Sequence, residues 1–215
     1  MKSLSLSRPL VIMIIGLPGS GKSFFGRQFA EMFGAPIVST DFIRHTLSPE
    51  SAYDATVDRL VEALVANEIT ELMKTKKTFI VDGGMNTRSA RFAVDRAAMT
   101  QAYGKLTVWV QTDEPTSLSR SLKRSSRRQD DAMNSSMDAE SFERYKKQFS
   151  MPHRSENIAV ISGKHTFTTQ ARIILKKLVA PAEEARAAEK APNPHETKVE
   201  PRHDIQPRRH NVTIN

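Results

Sequence analysis

Residues 10–23 read Leu10-Val11-Ile12-Met13-Ile14-Ile15-Gly16-Leu17-Pro18-Gly19-Ser20-Gly21-Lys22-Ser23. Six apolar residues in a row predict a strand buried on both faces, as in a parallel sheet. The eight that follow fit G-x-x-x-x-G-K-[ST], a phosphate-binding loop. A loop that wraps a phosphate turns its backbone N–H groups inward, so side chains near the anion must be absent and glycine is required. Lys22 then places a point charge on the β- and γ-phosphates, and Ser23 offers a hydroxyl to Mg²⁺. The helix that opens here adds the positive end of its dipole. Gly16, Pro18, Gly19, Ser20, Gly21, Lys22 and Ser23 are therefore the expected contacts of a nucleoside triphosphate.

The same apolar run follows Met1-Lys2 and could imitate a short signal peptide. No small-x-small cleavage site follows it, so the strand reading is preferred and the expected location is cytoplasmic. No apolar run approaches the ~20 residues a bilayer requires. The chain of 215 residues has no cysteine, which excludes disulfides, thiolate metal sites and cysteine nucleophiles. Its net charge of +8 favours polyanionic partners, with nucleic acid a candidate beside nucleotides.

Downstream, strands and helices alternate. Strands are predicted at 36–39, 78–81, 106–110 and 158–161. Helices are predicted at 22–33, 42–47, 54–75, 88–102 (with Gly104 as its cap), from Pro115, near 137–149 and at 167–179. Phe24, Phe25, Phe29 and Phe33 are read as nearly one helix face, and Phe92, Val94 and Met99 as the apolar residues of another. The alternation implies an α/β fold with a parallel sheet and right-handed crossovers. Beyond residue 181 the composition changes: five of the eleven prolines, no aromatic residue, and six basic against six acidic side chains. This tail (181–215) is expected to be disordered or partly helical, and residues 1–180 to carry the whole charge.

Ligands of open α/β sheets gather at the carboxyl ends of the strands. After the second strand, Asp41 is a candidate base for an acceptor hydroxyl, with helix capping as the competing reading. Arg44 would share its helix face and hold an anionic acceptor. Asp82 ends an apolar strand, as a carboxylate that organises Mg²⁺ does. Gly83-Gly84 would let substrate approach the backbone, and Arg88 and Arg91 would face the acceptor. Arg120, Lys123, Arg124, Arg127 and Arg128 follow without an intervening acid. The arginines spaced by four would form one helical stripe on a lid (about 120–154, tip 125–136) over the transferring phosphate. Ser162 to His165 are placed near the adenine.

Together GLPGSGKS, STDFIR, FIVDGGMNTRSAR, RSLKR and Phe149-x-x-Pro152 resemble the small P-loop kinases over residues 10–180. The resemblance is to the AAA-domain kinase group, similar to polynucleotide 5′-hydroxyl kinases, zeta toxins and gluconate kinases. It implies a three-layer P-loop fold with five parallel strands in the order 2-3-1-4-5 and a helical lid. It also implies phosphoryl transfer from ATP, with Mg²⁺, to an acceptor hydroxyl. Carried over, Lys22 and Ser23 match the phosphate and Mg²⁺ residues, Asp41 the base, Arg44 the substrate arginine, and Arg120 and Arg124 the lid. The chain shows neither the second domain of some polynucleotide kinases nor the large insertions of zeta toxins, which leaves the acceptor undefined. A polynucleotide 5′-kinase and a slow nucleotide-dependent switch are the competing functions.

Overall fold

The computed structural model describes residues 8–47, 55–124 and 137–179. The chain divides into two units, Met1–Val179 and Ala180–Asn215, and every described residue belongs to the first. The tail, the loop tip 125–136 and Arg127 and Arg128 within it lie outside the described residues.

Five strands alternate with seven helices: β1 (Leu10–Ile15), α1 (Lys22–Phe33), β2 (Ile37–Ser39), α2 (Thr40–Leu47), α3 (Ala55–Lys74) and β3 (Phe79–Asp82) come first. Then follow α4 (Arg88–Thr100), β4 (Gly104–Gln111), α5 (Glu114–Leu122), α6 (Ala139–Gln148), β5 (Ile158–Ser162) and α7 (Phe167–Val179). The strands form one sheet in the order β2-β3-β1-β4-β5, and every pairing is parallel. This is the P-loop kinase fold that the resemblance implies.

All six residues of β1 are buried, because strands pair with it on both sides and helices cover both faces. Alternate side chains go to opposite layers. Val11, Met13 and Ile15 pack in one core with Val61, Val65, Ile69 and Met73 of α3 and Val94 and Ala98 of α4. Ile12 and Ile14 pack in the other with Phe25 and Phe29 of α1 and Ile174 of α7. The continuous apolar run in the sequence is thus two interleaved sets.

Three local expectations are corrected. In α1, Phe25 and Phe29 are buried and Phe33 stacks on Phe29, with ring centroids 4.6 Å apart, but Phe24 turns outward and is 43% exposed. In α4, the buried face is Arg91, Val94 and Ala98, while Phe92 and Met99 lie in solvent. A partly buried acid, Glu156, pairs with Arg91, so the helix turns a charged residue inward and an aromatic one outward. Gly104 does not cap α4, whose C-cap is Gln101; it begins β4, donating its N–H to Pro9 O at 2.8 Å. A Cβ at Gly104 would stand 2.4 Å from Leu10 Cδ2, so a larger residue there would make the Leu10 side chain move.

These placements are separable by experiment. Phe29→Ala should lower stability by about 3–5 kcal/mol, and Phe92→Ala should change it by less than about 0.5 kcal/mol. Urea unfolding measures both, and equal losses would contradict the assigned face of α4.

Candidate active site

The carboxyl ends of β1, β2 and β3, with α5 and α6, surround a cavity of about 820 Å³. Its floor is the phosphate loop. Gly19 and Gly21 adopt φ of +75° and +102°, values that favour glycine. A Cβ on Gly19 would lie 2.1 Å from Ser117 O, so the loop is pressed against α5. No side chain caps α1 at Gly21, and Gly21, Lys22 and Ser23 line the cavity; the positive end of the helix therefore opens into it.

Two loop residues have a different role from the expected one. Gly16 donates its N–H to Asn86 Oδ1 at 3.1 Å, and its α-carbon packs against Val110 O. Ser20 is buried, and its N–H closes a turn onto Leu17 O at 3.1 Å. Both thus help to frame the loop, and neither is among the residues that line the cavity. Asn86, read from the sequence only as part of a turn, ties the loop to the segment after β3.

Lys22 Nζ donates to Gly16 O at 3.0 Å and Leu17 O at 2.9 Å. Burial brings its ammonium down to about 8 from 10.5; the nearby Asp82 and Asp41 carboxylates oppose that fall and Arg124 adds to it. Asp82, at the end of β3, is 3% exposed. Its carboxyl is held above the ordinary range, first by burial and then by the charge of Asp41, against a hydrogen bond from Ser23 and the charges of Lys22 and Arg27. A lysine pushed toward neutrality beside a carboxylate pushed toward protonation is a site short of compensating charge.

Asp41 stands in the first turn of α2 and lines the cavity. Helix capping does not occupy it: Ser39 Oγ accepts from Phe42 N–H at 3.3 Å. Gly83 is required by Thr40, whose Oγ1 would lie 2.1 Å from a Cβ there. The space it leaves is thus filled by a neighbour, although Gly83 and Gly84 both border the cavity.

The arginines divide. Arg120, Arg124 and Arg44 line the cavity. Arg120 also donates to Gly163 O at 3.2 Å, joining α5 to the loop after β5. α5 ends at Leu122, so Arg124 follows the helix and the expected single stripe is not formed on it. Arg91 is 1% exposed and donates to Glu156 at 2.7 and 3.2 Å and to the carbonyls of Met85 and Asn86. It fixes the turn after β3 and does not face an acceptor. Arg88 is exposed and outside the cavity wall. Position relative to a strand end could not separate these cases, because Glu156 is 65 residues from Arg91.

Sequence reading missed Asp58 and Glu62 of α3 and Arg144, Tyr145 and Gln148 of α6, all on the cavity wall. Asp58 Oδ1 accepts from Arg44 Nη2 and from Tyr145 Oη, the latter at 3.0 Å. These residues sit on amphipathic helices away from any strand end, where polar side chains carry no motif. At Gly163 a Cβ would meet Ser20 O at 1.8 Å, so the β5–α7 loop lies directly on the phosphate loop.

A family model described as "AAA domain" matches residues 11–152. No curated protein matches the chain. Among solved structures, a sugar kinase from Janibacter sp. HTCC2649 is 15% identical and superposes with a TM-score of 0.57, covering 81% of this chain and 96% of that one. A gluconokinase from Sinorhizobium meliloti 1021 is 19% identical, with a TM-score of 0.56 over 85% and 94%. The APS kinase CysC of Mycobacterium tuberculosis, in complex with AMPPNP and APS, is 14% identical, with a TM-score of 0.56 over 80% and 98%. At these identities the likeness is one of fold.

The Arg91–Glu156 pair gives a direct check on the framework. Arg91→Ala leaves Glu156 partly buried without its partner, and a loss of about 3–5 kcal/mol is expected. A denaturation midpoint equal to that of the unsubstituted protein would contradict a buried Arg91 that holds the framework together.

Proposed function

We propose, starting from a chain that belongs to the AAA domain family, that this protein is an ATP-dependent phosphotransferase acting on a hydroxyl acceptor. The observation that carries the reading is convergence. Lys22, Ser23, Asp41, Asp82, Arg120 and Arg124 come from four separate stretches of sequence, and all line one cavity.

The donor would lie over the phosphate loop, with the open end of α1 and Lys22 against its phosphates. Arg120 and Arg124 would meet charge that builds on the γ-phosphoryl group during transfer. Asp41, on the cavity wall, would accept the proton of the attacking hydroxyl. The oxygen of that hydroxyl bonds to Pγ, the bond from Pγ to the bridging oxygen breaks, and ADP departs.

Mg²⁺ fits the donor set. The Ser23 hydroxyl is hydrogen-bonded to Asp82, and a second carboxylate, Asp41, is close enough to raise the Asp82 pKa. Among the described residues no group of three or more acidic, histidine or cysteine side chains forms a metal cage. Mg²⁺ is commonly held by one or two carboxylates, waters and substrate phosphates, so Ser23 and Asp82 suffice. Bound there, Mg²⁺ would supply charge neutralisation for the phosphates.

Two outcomes test the reading. Asp41→Asn should lower kcat by about 10²–10⁴-fold while nucleotide affinity is retained; γ-labelled ATP incubated with a cell extract reads the transfer. Undiminished labelling of an acceptor would remove Asp41 as the base, and release of free phosphate alone would point to a switch. The second outcome follows from Lys22, with its pKa of about 8 in the free protein. A triphosphate favours the charged form, so binding near pH 8 should take up a proton and affinity should fall as the pH rises further. Calorimetry in two buffers of different ionisation enthalpy measures the uptake. It should vanish in Lys22→Arg, and a pH-independent affinity through pH 9 would exclude Lys22 as a phosphate ligand.

A further inference from the structure

The cavity has two kinds of wall. On the phosphate side Lys22, Arg120, Lys123 and Arg124 outnumber Asp41 and Asp82. On the side built by α2, α3 and α6, two cations, Arg44 and Arg144, meet two carboxylates, Asp58 and Glu62, while Tyr145 and Gln148 add neutral polar groups. With Asp41 of α2 counted, carboxylates outnumber cations among the described lining residues of these three helices.

Asp58 is its centre. Its carboxylate pairs with Arg44, whose side chain is only 8% exposed, and accepts from the Tyr145 hydroxyl at 3.0 Å. The reading of Arg44 as the grip for an anionic acceptor therefore meets an obstacle. An incoming anion would compete with the carboxylate already paired to Arg44, and would do so beside Glu62. The groups on this wall are suited instead to hydroxyls. Carboxylates accept from them, and amide and phenol groups both donate and accept.

We propose that the acceptor is a small, neutral, polyhydroxylated molecule whose hydroxyls are bound by Asp58, Glu62, Tyr145 and Gln148. One further hydroxyl faces Asp41 and receives the phosphoryl group, its proton passing to the Asp41 carboxylate. The inference rests on the phosphotransferase reading and narrows it. A nucleic-acid acceptor would bring further phosphates against two carboxylates.

The test uses the full chain with MgATP and follows ADP release with glycerol, glucose and myo-inositol, with a singly charged hydroxy acid, and with a 5′-hydroxyl oligothymidylate. A neutral polyol should raise ADP release at least tenfold over the rate without acceptor. Glu62→Gln and Asp58→Asn should each raise the KM for that polyol tenfold or more; Glu62→Gln serves if the Asp58 variant fails to fold. Preference for the oligonucleotide or the hydroxy acid overturns the proposal, as does a KM unmoved by either substitution. If no polyol stimulates the enzyme while nucleotide binding still depends on Lys22, the acceptor class alone is wrong. If nucleotide binding does not depend on Lys22, the phosphotransferase reading falls and the acceptor class with it.

Discussion

The chain must turn sharply where the central strand ends. Gly16 follows β1 with φ of +146°, and a Cβ there would stand 2.4 Å from Val110 O of the neighbouring strand. Only a residue without a side chain lets β1 lie against β4 up to its last residue and then turn away. The phosphate loop, the start of α1 and the position of Lys22 all follow from that turn. The loop is then clamped from three sides: by Asn86 on the Gly16 N–H, by α5 against Gly19, and by Gly163 against Ser20. A cradle held in this way needs little reorganisation when a phosphate arrives, which favours binding.

Electrostatics divides the cavity into two regions with different work. Near the loop, burial lowers the Lys22 pKa and raises that of Asp82, so the charged form of each is disfavoured. Incoming phosphate and metal cation would restore both. Across the cavity, Arg44 and Asp58 are already paired, and Tyr145 donates to the same carboxylate. Paired charges with acceptor capacity left over orient a ligand by hydrogen bonds, whereas an excess of one sign attracts the opposite charge.

Much of the fold was legible because its signals are local. The apolar run at β1, the glycine spacing of the loop and the alternation of strand and helix each reflect a few neighbouring residues. Strand ends moved by one or two positions: β3 includes Asp82, and β4 begins at Gly104. The errors share a cause. Phe92 and Arg91 are adjacent, and residue type alone assigns the aromatic to the core. Glu156, distant in sequence, reverses that choice by giving the buried arginine a charged partner.

For the candidate site the division is the same. The sequence by itself determined that a phosphate loop follows a buried strand, and that carboxylates stand at the ends of the next two strands. Those features are written in short spacings. Only the tertiary structure decided that Asp41 lines the cavity, that Arg44 is balanced by Asp58, and that α6 supplies Tyr145. Such choices depend on which side chains meet across long separations, and burial makes each meeting matter, because an unpaired charge away from water is costly.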